Sequence, residues 1–205
     1  MTTYSTPSWL RAFTTGVEPF PLPLESLALP RQVHSDHVEW VVKAGRPAET
    51  DAVITDAKGL PLAIKTADCL PILLYDTRLH VIAAAHAGWR GTVCRIAENT
   101  IKAMHSRPED LHAILGPCIS QAAFEVGDEV YDAFLKAGFP MDAIAVRQEK
   151  WHISLRRANA WLLRECGVSD IFIEPTCTYS SPSLYSARRN GIETGRNLNV
   201  IMMEL

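Results

Sequence analysis

Five things are missing from this 205-residue sequence, and each absence removes a class of protein. Its longest apolar stretches, such as Val81 to Ala85, fall far short of a membrane span. It has no excess of positive charge: the formal net charge is −3, which gives no support to sequence-blind nucleic-acid binding or to a polybasic membrane patch. No CxxC pair occurs among its five cysteines, so zinc-ribbon and thioredoxin readings fall away. No GxGxxG or P-loop is present to anchor a dinucleotide or an ordinary NTPase reaction. Residues Met1 to Leu10 also lack the basic-then-apolar order of a signal peptide.

With 47% apolar and 21% charged residues, the chain has the composition of a globular protein. At this length it is expected to fold as one domain over residues 1–205, without disulfides or a structural metal. The sparse, unpaired cysteines place it in a reducing compartment, and the expectation is a cytoplasmic, soluble monomer.

Five prolines between Pro7 and Pro30 mark residues 1–30 as an irregular segment, with order beginning near Gln32. Beyond it, Val38–Val42, Ala52–Thr55, Leu62–Lys65, Ile72–Tyr75 and Val81–Ala85 read as short strands. Several are apolar on both alternations, as strands covered on both faces are. The last two form a hairpin across Asp76–His80. The period then changes. Val93, Ile96, Ala97, Thr100, Ile101 and Met104 make one face of a helix from about Gly91 to His105, stopped by Pro108. Further helices are expected over Asp128–Lys136 and Ser154–Cys166, and further strands at Ala113–Leu115, Ile171–Ile173 and Leu198–Met202. This order predicts an α+β or layered mixed-sheet protein.

Four clusters place reactive residues where strands end: Arg31–His34, Thr66–Cys69, His86–Gly91 and Leu184–Arg189. Cys69 and His86, at neighbouring strand ends, would make either a nucleophilic pair or two ligands of a metal, with His34 as a third. Two imidazoles and a thiolate leave one position open, as in catalytic zinc sites. The spacings of 35 and 17 residues are long, and a cysteine among apolar residues reads equally well as a small core side chain. In His86-Ala87-Gly88-Trp89-Arg90-Gly91, two glycines permit tight turning before a helix, which serves an anion or an ordinary turn alike. Arg188, Arg189 and Arg196 share a loop suited to phosphate, or simply to solvent. Cys94 and Cys166 read as packing residues on helices; Cys118 and Cys177 follow strand ends. His37, His80, His105 and His112 show no partner pattern, and His152 reads as a packing or capping residue.

Together these segments resemble the YfiH family, described variously as a multicopper polyphenol oxidase or laccase domain, a purine nucleoside phosphorylase and a peptidoglycan editing factor. The resemblance rests on Arg31-Gln32-Val33-His34, Asp51-Ala52, Lys65-Thr66-Ala67-Asp68-Cys69-Leu70-Pro71, Ala84-Ala85-His86-Ala87-Gly88-Trp89-Arg90-Gly91, Leu115-Gly116-Pro117-Cys118, Phe124-Glu125-Val126-Gly127, Cys177-Thr178-Tyr179, Tyr185-Ser186-Ala187-Arg188-Arg189 and Thr194-Gly195-Arg196. It implies a YfiH-like layered sandwich, with mixed β-sheets packed centrally and flanking helices. It also implies a zinc site of His34, Cys69 and His86. The implied activity is phosphorolysis of adenosine, inosine and methylthioadenosine, with adenosine deamination beside it; nucleoside and phosphate are the implied partners. Cys69, His86 and Asp68 are then the candidate catalytic residues, and Arg90 or Arg189 the candidate anion contact. One departure stands out: the arginine and paired glycines that the family carries after its Phe-Thr-Thr are replaced by Gly16-Val17-Glu18.

Seven histidines are too few for a multicopper oxidase, which needs roughly ten plus a cysteine, although a Cys/His site also binds copper adventitiously. Two other functions compete. Cys69 and His86 would serve a hydrolase acting in peptidoglycan precursor editing, and the site would equally suit a non-catalytic, metal-bearing accessory protein.

Overall fold

A computed structural model describes residues 1–205. Thirteen strands form three sheets, and six helices accompany them. The largest sheet has six strands in the order β12-β8-β6-β7-β4-β3. These are Asp170–Ile173 (β12), Leu111–Leu115 (β8), Leu70–Asp76 (β6), Val81–Ala87 (β7), Ala52–Thr55 (β4) and Val38–Trp40 (β3). The central pairs are antiparallel, while the two outermost pairs, β12·β8 and β3·β4, are parallel. The second sheet is antiparallel, in the order β1-β2-β13-β5: Thr2–Thr3 (β1), Leu10–Thr15 (β2), Asn197–Met203 (β13) and Leu62–Thr66 (β5). A small third sheet joins Ala145–Arg147 (β10), Trp151–Ile153 (β11) and Glu125–Val126 (β9).

The two large sheets stack, and the alternation of each strand assigns its side chains to one side or the other. Leu73, Ile82, Ala84 and Ile114 of the six-stranded sheet meet Leu10, Leu62, Ile64 and Ile201 of the four-stranded sheet. Leu70, Ile72, Leu74, Ala83 and Ala85 point the other way, onto the helices. Those helices include Ile96–Met104 (α2), Asp128–Lys136 (α3) and Leu155–Glu165 (α5), the last capped by the Ser154 hydroxyl, which accepts from the Arg157 amide at 3.2 Å. Both faces of β6 and β7 are therefore buried, which is why those strands lack polar alternation.

Two expectations change. The segment 1–30 is not irregular throughout. Its prolines flank Leu10–Thr15 rather than interrupt it, so β2 pairs along β13, and Leu27 and Leu29 cover Phe13, Leu198 and Val200 on the sheet's outer face. The helix expected from Gly91 to His105 is two helices, Trp89–Val93 (α1) and α2. Arg95 breaks it in the left-handed region at φ 63°, held by donating to Glu98 at 3.0 Å and to the Ala137 carbonyl at 3.1 Å. The apolar stripe continues across the break, which is why periodicity alone reads through it. Cys94 lies at this break and is exposed rather than packed. Pro108 opens a short 3-10 turn instead of stopping the helix. The remaining helices, Met141–Ile144 (α4) and Ala187–Asn190 (α6), are single turns.

Candidate metal centre

His86 belongs to β7, where it follows Ile82 and Ala84 on the side facing the four-stranded sheet. Cys69 ends the three-residue crossing from β5 in one large sheet to β6 in the other. Because Pro71 pairs with His86 in the β6·β7 ladder, Cys69 arrives beside the end of β7. His34 comes from the loop ahead of β3 and takes φ 63°. The three donor atoms lie within 4.8 Å of one another, with Cys69 Sγ 4.0 Å from His34 Nε2. His86 is buried, Cys69 partly so, and His34 is exposed, so the cluster is closed behind and open in front.

The closed side is organised by Asp51. The ladder pairs Ala52 with Ala85, which sets Asp51 opposite His86 across β4 and β7. The carboxylate, wholly buried, accepts from His86 Nδ1 at 2.7 Å, from the amides of Val33, His34 and Ser35 at 2.8–3.1 Å, and from the Ser35 hydroxyl at 2.8 Å. Burial alone would raise its pKa, but these donors outweigh burial and hold it well below the usual carboxylate range. An ionised carboxylate only accepts, so Nδ1 carries a proton and Nε2 is the nitrogen turned toward Cys69. One side chain thus fixes the imidazole of His86 and the backbone turn that presents His34.

Burial opposes ionisation of the Cys69 thiol; the charge of His86 and the hydrogen bond from His34 prevail and lower its pKa to about 6. His86 moves the opposite way. Burial disfavours its charge, yet Cys69 and Asp51 raise its pKa to about 9. Space beside the donors depends on Gly88, where a Cβ would stand 3.0 Å from Cys69 Sγ and 3.1 Å from His34 Cδ2. Two imidazole nitrogens, an acidic thiol, a carboxylate behind one imidazole and open room in front fit a divalent cation such as zinc.

The other candidates lie elsewhere. Asp68, at φ 93°, accepts from the Thr178 hydroxyl at 2.6 Å and the Arg188 amide at 2.7 Å, so both its oxygens brace the crossing loop. Arg189 donates to the carbonyls of Thr178, Tyr179, Ser181 and Leu184, and Arg90 lies over the Trp89 ring at 4.3 Å. Neither arginine lines the cavity of about 540 Å³ in front of the cluster. The cations that do are Arg31, Arg46, Lys65 and Arg196, of which only Arg196 was singled out from the sequence as a possible phosphate contact. Cys118 and Cys177 pair with each other across an isolated parallel bridge instead of joining the site. His112, without a visible partner in sequence, lies 2.6 Å from Asp170 and stacks on Tyr75.

A family model described as multi-copper polyphenol oxidoreductase laccase matches residues 14–204. The chain is 41% identical over 199 residues to a purine nucleoside phosphorylase of Bacteroides thetaiotaomicron, covering 87% of this chain and 74% of that one. It is 39% identical over 197 residues to adenosine deaminase RL5 of an unknown prokaryotic organism, covering 87% and 75%. The solved structure of Neisseria meningitidis protein NMB0706 matches with a TM-score of 0.85 at 29% identity, over 99% of this chain and 98% of that one. The donor census does not reach the number a multicopper centre requires, because only His34 and His86 of the seven histidines meet a thiol. The chain belongs to the YfiH-type multi-copper polyphenol oxidoreductase laccase family, whose curated relatives at this identity are purine nucleoside phosphorylases and an adenosine deaminase.

Proposed function

We propose that this protein is a zinc-dependent purine nucleoside phosphorylase, acting on adenosine, inosine and methylthioadenosine, with adenosine deaminase activity at the same site. The observation that carries the reading is the open cluster of His34, Cys69 and His86 backed by Asp51. When bound there, the metal supplies a Lewis acid beside the cavity. The chain's own groups do the rest. Asp51 keeps the proton on His86 Nδ1 and holds the His34 turn, so both imidazoles are in place before substrate arrives. Gly88 leaves the Cys69 and His34 side chains room beside it. Asp68 holds the Cys69 loop through Thr178 and the start of α6, which makes it a positioning residue in this reading rather than a proton carrier.

In phosphorolysis the bond from the ribose C1′ to the purine nitrogen breaks as a bond from C1′ to a phosphate oxygen forms. The electron pair and the phosphate proton leave with the base. In deamination, adenosine and water give inosine and ammonia. Cys69 must remain a free thiolate to serve as a ligand, which suits a reducing, cytoplasmic location.

The experiment is a product assay on zinc-replete protein with inosine and adenosine, with and without phosphate. Phosphate-dependent ribose 1-phosphate supports the reading. Zinc-replete protein that forms neither ribose 1-phosphate nor inosine excludes it and favours the accessory role. A second reading draws on the acidity of Cys69: a Cys–His hydrolase. Fully active metal-free protein that is inactivated by iodoacetamide at Cys69 would establish that alternative.

A further inference from the structure

Arg31, Arg46, Lys65 and Arg196 converge on one cavity in a chain of net charge −3. No carboxylate lies within ion-pair distance of any of them. Arg31 and Arg46 donate no side-chain hydrogen bond to the protein, whereas Arg189, Arg156 and Arg107 are all engaged. Arg196 folds back on its own loop, donating to Thr194, Gly195 and Ile192 carbonyls, and so brings a fixed charge to the rim. Lys65 is half-buried, and burial together with the repulsion of Arg46 and Arg196 lowers its pKa. Arg31, Arg46 and Arg196 are exposed around the half-buried Lys65, so four like charges line one cavity without a carboxylate partner, an arrangement that an entering anion relieves.

Gln32 builds this arrangement into the fold. Its amide donates to the Lys65 carbonyl at 2.8 Å and accepts from the Lys65 amide at 2.8 Å. It takes the place of a neighbouring strand on the free edge of β5. The loop that carries Arg31 and His34 is thereby tied to the strand that carries Lys65.

We propose that Arg31, Arg46, Lys65 and Arg196 form a phosphate subsite opposite the His34–Cys69–His86 cluster, and that it takes the free inorganic phosphate that attacks the nucleoside. This rests on the phosphorylase reading above. Guanidinium groups match the oxygens of a phosphate in pairs, and the ammonium adds a point charge. The nucleoside then lies between the cations and the metal-ligand cluster, with the phosphate oxygen directed at C1′.

The test titrates inorganic phosphate into the zinc-loaded protein at constant ionic strength, by calorimetry. Lys65→Gln and Arg46→Gln are compared with Lys136→Gln, an exposed cation on α3 that removes the same charge elsewhere. Each cavity variant is expected to weaken phosphate binding about tenfold, and Lys136→Gln less than about twofold. Phosphate KM for ribose 1-phosphate formation should rise in step. Wild-type phosphate affinity in both cavity variants overturns the subsite. Unchanged phosphate KM during normal turnover does so as well, while leaving the phosphorylase reading intact. Phosphate binding lost in the variants of a protein that never forms ribose 1-phosphate keeps the anion site and removes the phosphorylase reading. AMP, titrated in parallel, separates free phosphate from a nucleotide's phosphate. AMP binding no tighter than adenosine supports the free ion. AMP binding much tighter than both adenosine and phosphate, and lost in the same variants, overturns it.

Discussion

Asp51 faces His86 across two adjacent strands, its carboxylate oxygen 2.7 Å from Nδ1, and the same carboxylate gathers the backbone amides that shape the His34 turn. Two of the three candidate metal-ligand positions therefore depend on one buried acid that lies outside the donor cluster.

Asp51→Asn should weaken zinc affinity by roughly 10–100-fold, the usual effect of removing a carboxylate behind a ligating histidine. It should also destabilise the metal-free fold by about 3 kcal/mol, since buried donors lose a charged acceptor. Competition with a chelating dye measures the first effect and urea denaturation the second. Unchanged affinity in a folded variant would refute the role assigned to Asp51.

His34→Ala, Cys69→Ala and His86→Ala should each lose stoichiometric zinc and activity together. Elemental analysis of purified protein reads this directly. His34→Ala is the cleanest of the three, because its side chain is exposed and its removal leaves no cavity in the core.

Gly88→Ala should leave the fold nearly as stable as the parent while lowering zinc affinity tenfold or more, about 1.4 kcal/mol. Its methyl group would press on Cys69 Sγ, a candidate donor, and on the His34 ring at Cδ2, beside the donor nitrogen. A variant that binds zinc like the parent shows that the donors have room to yield.

In metal-free protein, Cys69 should ionise near pH 6 and His86 lose its proton near pH 9. Between those values they form a thiolate–imidazolium pair. The folded thiol is more acidic than the unfolded one, so its stabilising contribution is complete above about pH 9 and fades as pH falls through about 6. His86 has the opposite sign: its contribution is complete below about pH 6.5 and fades as pH rises through about 9. Thiolate absorbance near 240 nm checks the first value. The measurement needs a Cys177→Ser background, because Cys177, despite partial burial, is lowered to about 7 by Ser120 and Ser180. A midpoint for Cys69 near that of a free cysteine contradicts the pairing.

Arg189→Ala should act on stability rather than on phosphate binding. It removes a guanidinium that ties four carbonyls between Thr178 and Leu184, a loss of about 2 kcal/mol in a chemical denaturation curve. Arg90→Ala, which removes only a stack on Trp89, should cost less.

Much of the fold was legible because its central strands carry a strong local signal. Ala52–Thr55 and the hairpin of β6 and β7 are apolar on both faces and punctuated at their ends, and Asp128–Lys136 is amphipathic between two glycines. The three-residue strands β10 and β11 and the single-turn helix α6 were not, because so short a segment takes its conformation from its neighbours. At the site, His34, Cys69 and His86 stand out by residue type and by position at strand ends. Asp51 gains its role only from the β4·β7 register, which spacing along the chain does not reveal. Arg31, Arg46 and Lys65 look like any surface cations until the fold turns them toward one cavity.

The origin of the three ligands in a loop, a sheet-to-sheet crossing and a central strand bears on when the metal arrives. Closely spaced cysteine pairs let an ion nucleate a fold around itself. Here 35 residues separate His34 from Cys69, and their meeting requires the two large sheets to be stacked already. A metal held by these three residues is expected to load onto a finished protein, and refolding rates measured with and without zinc should coincide.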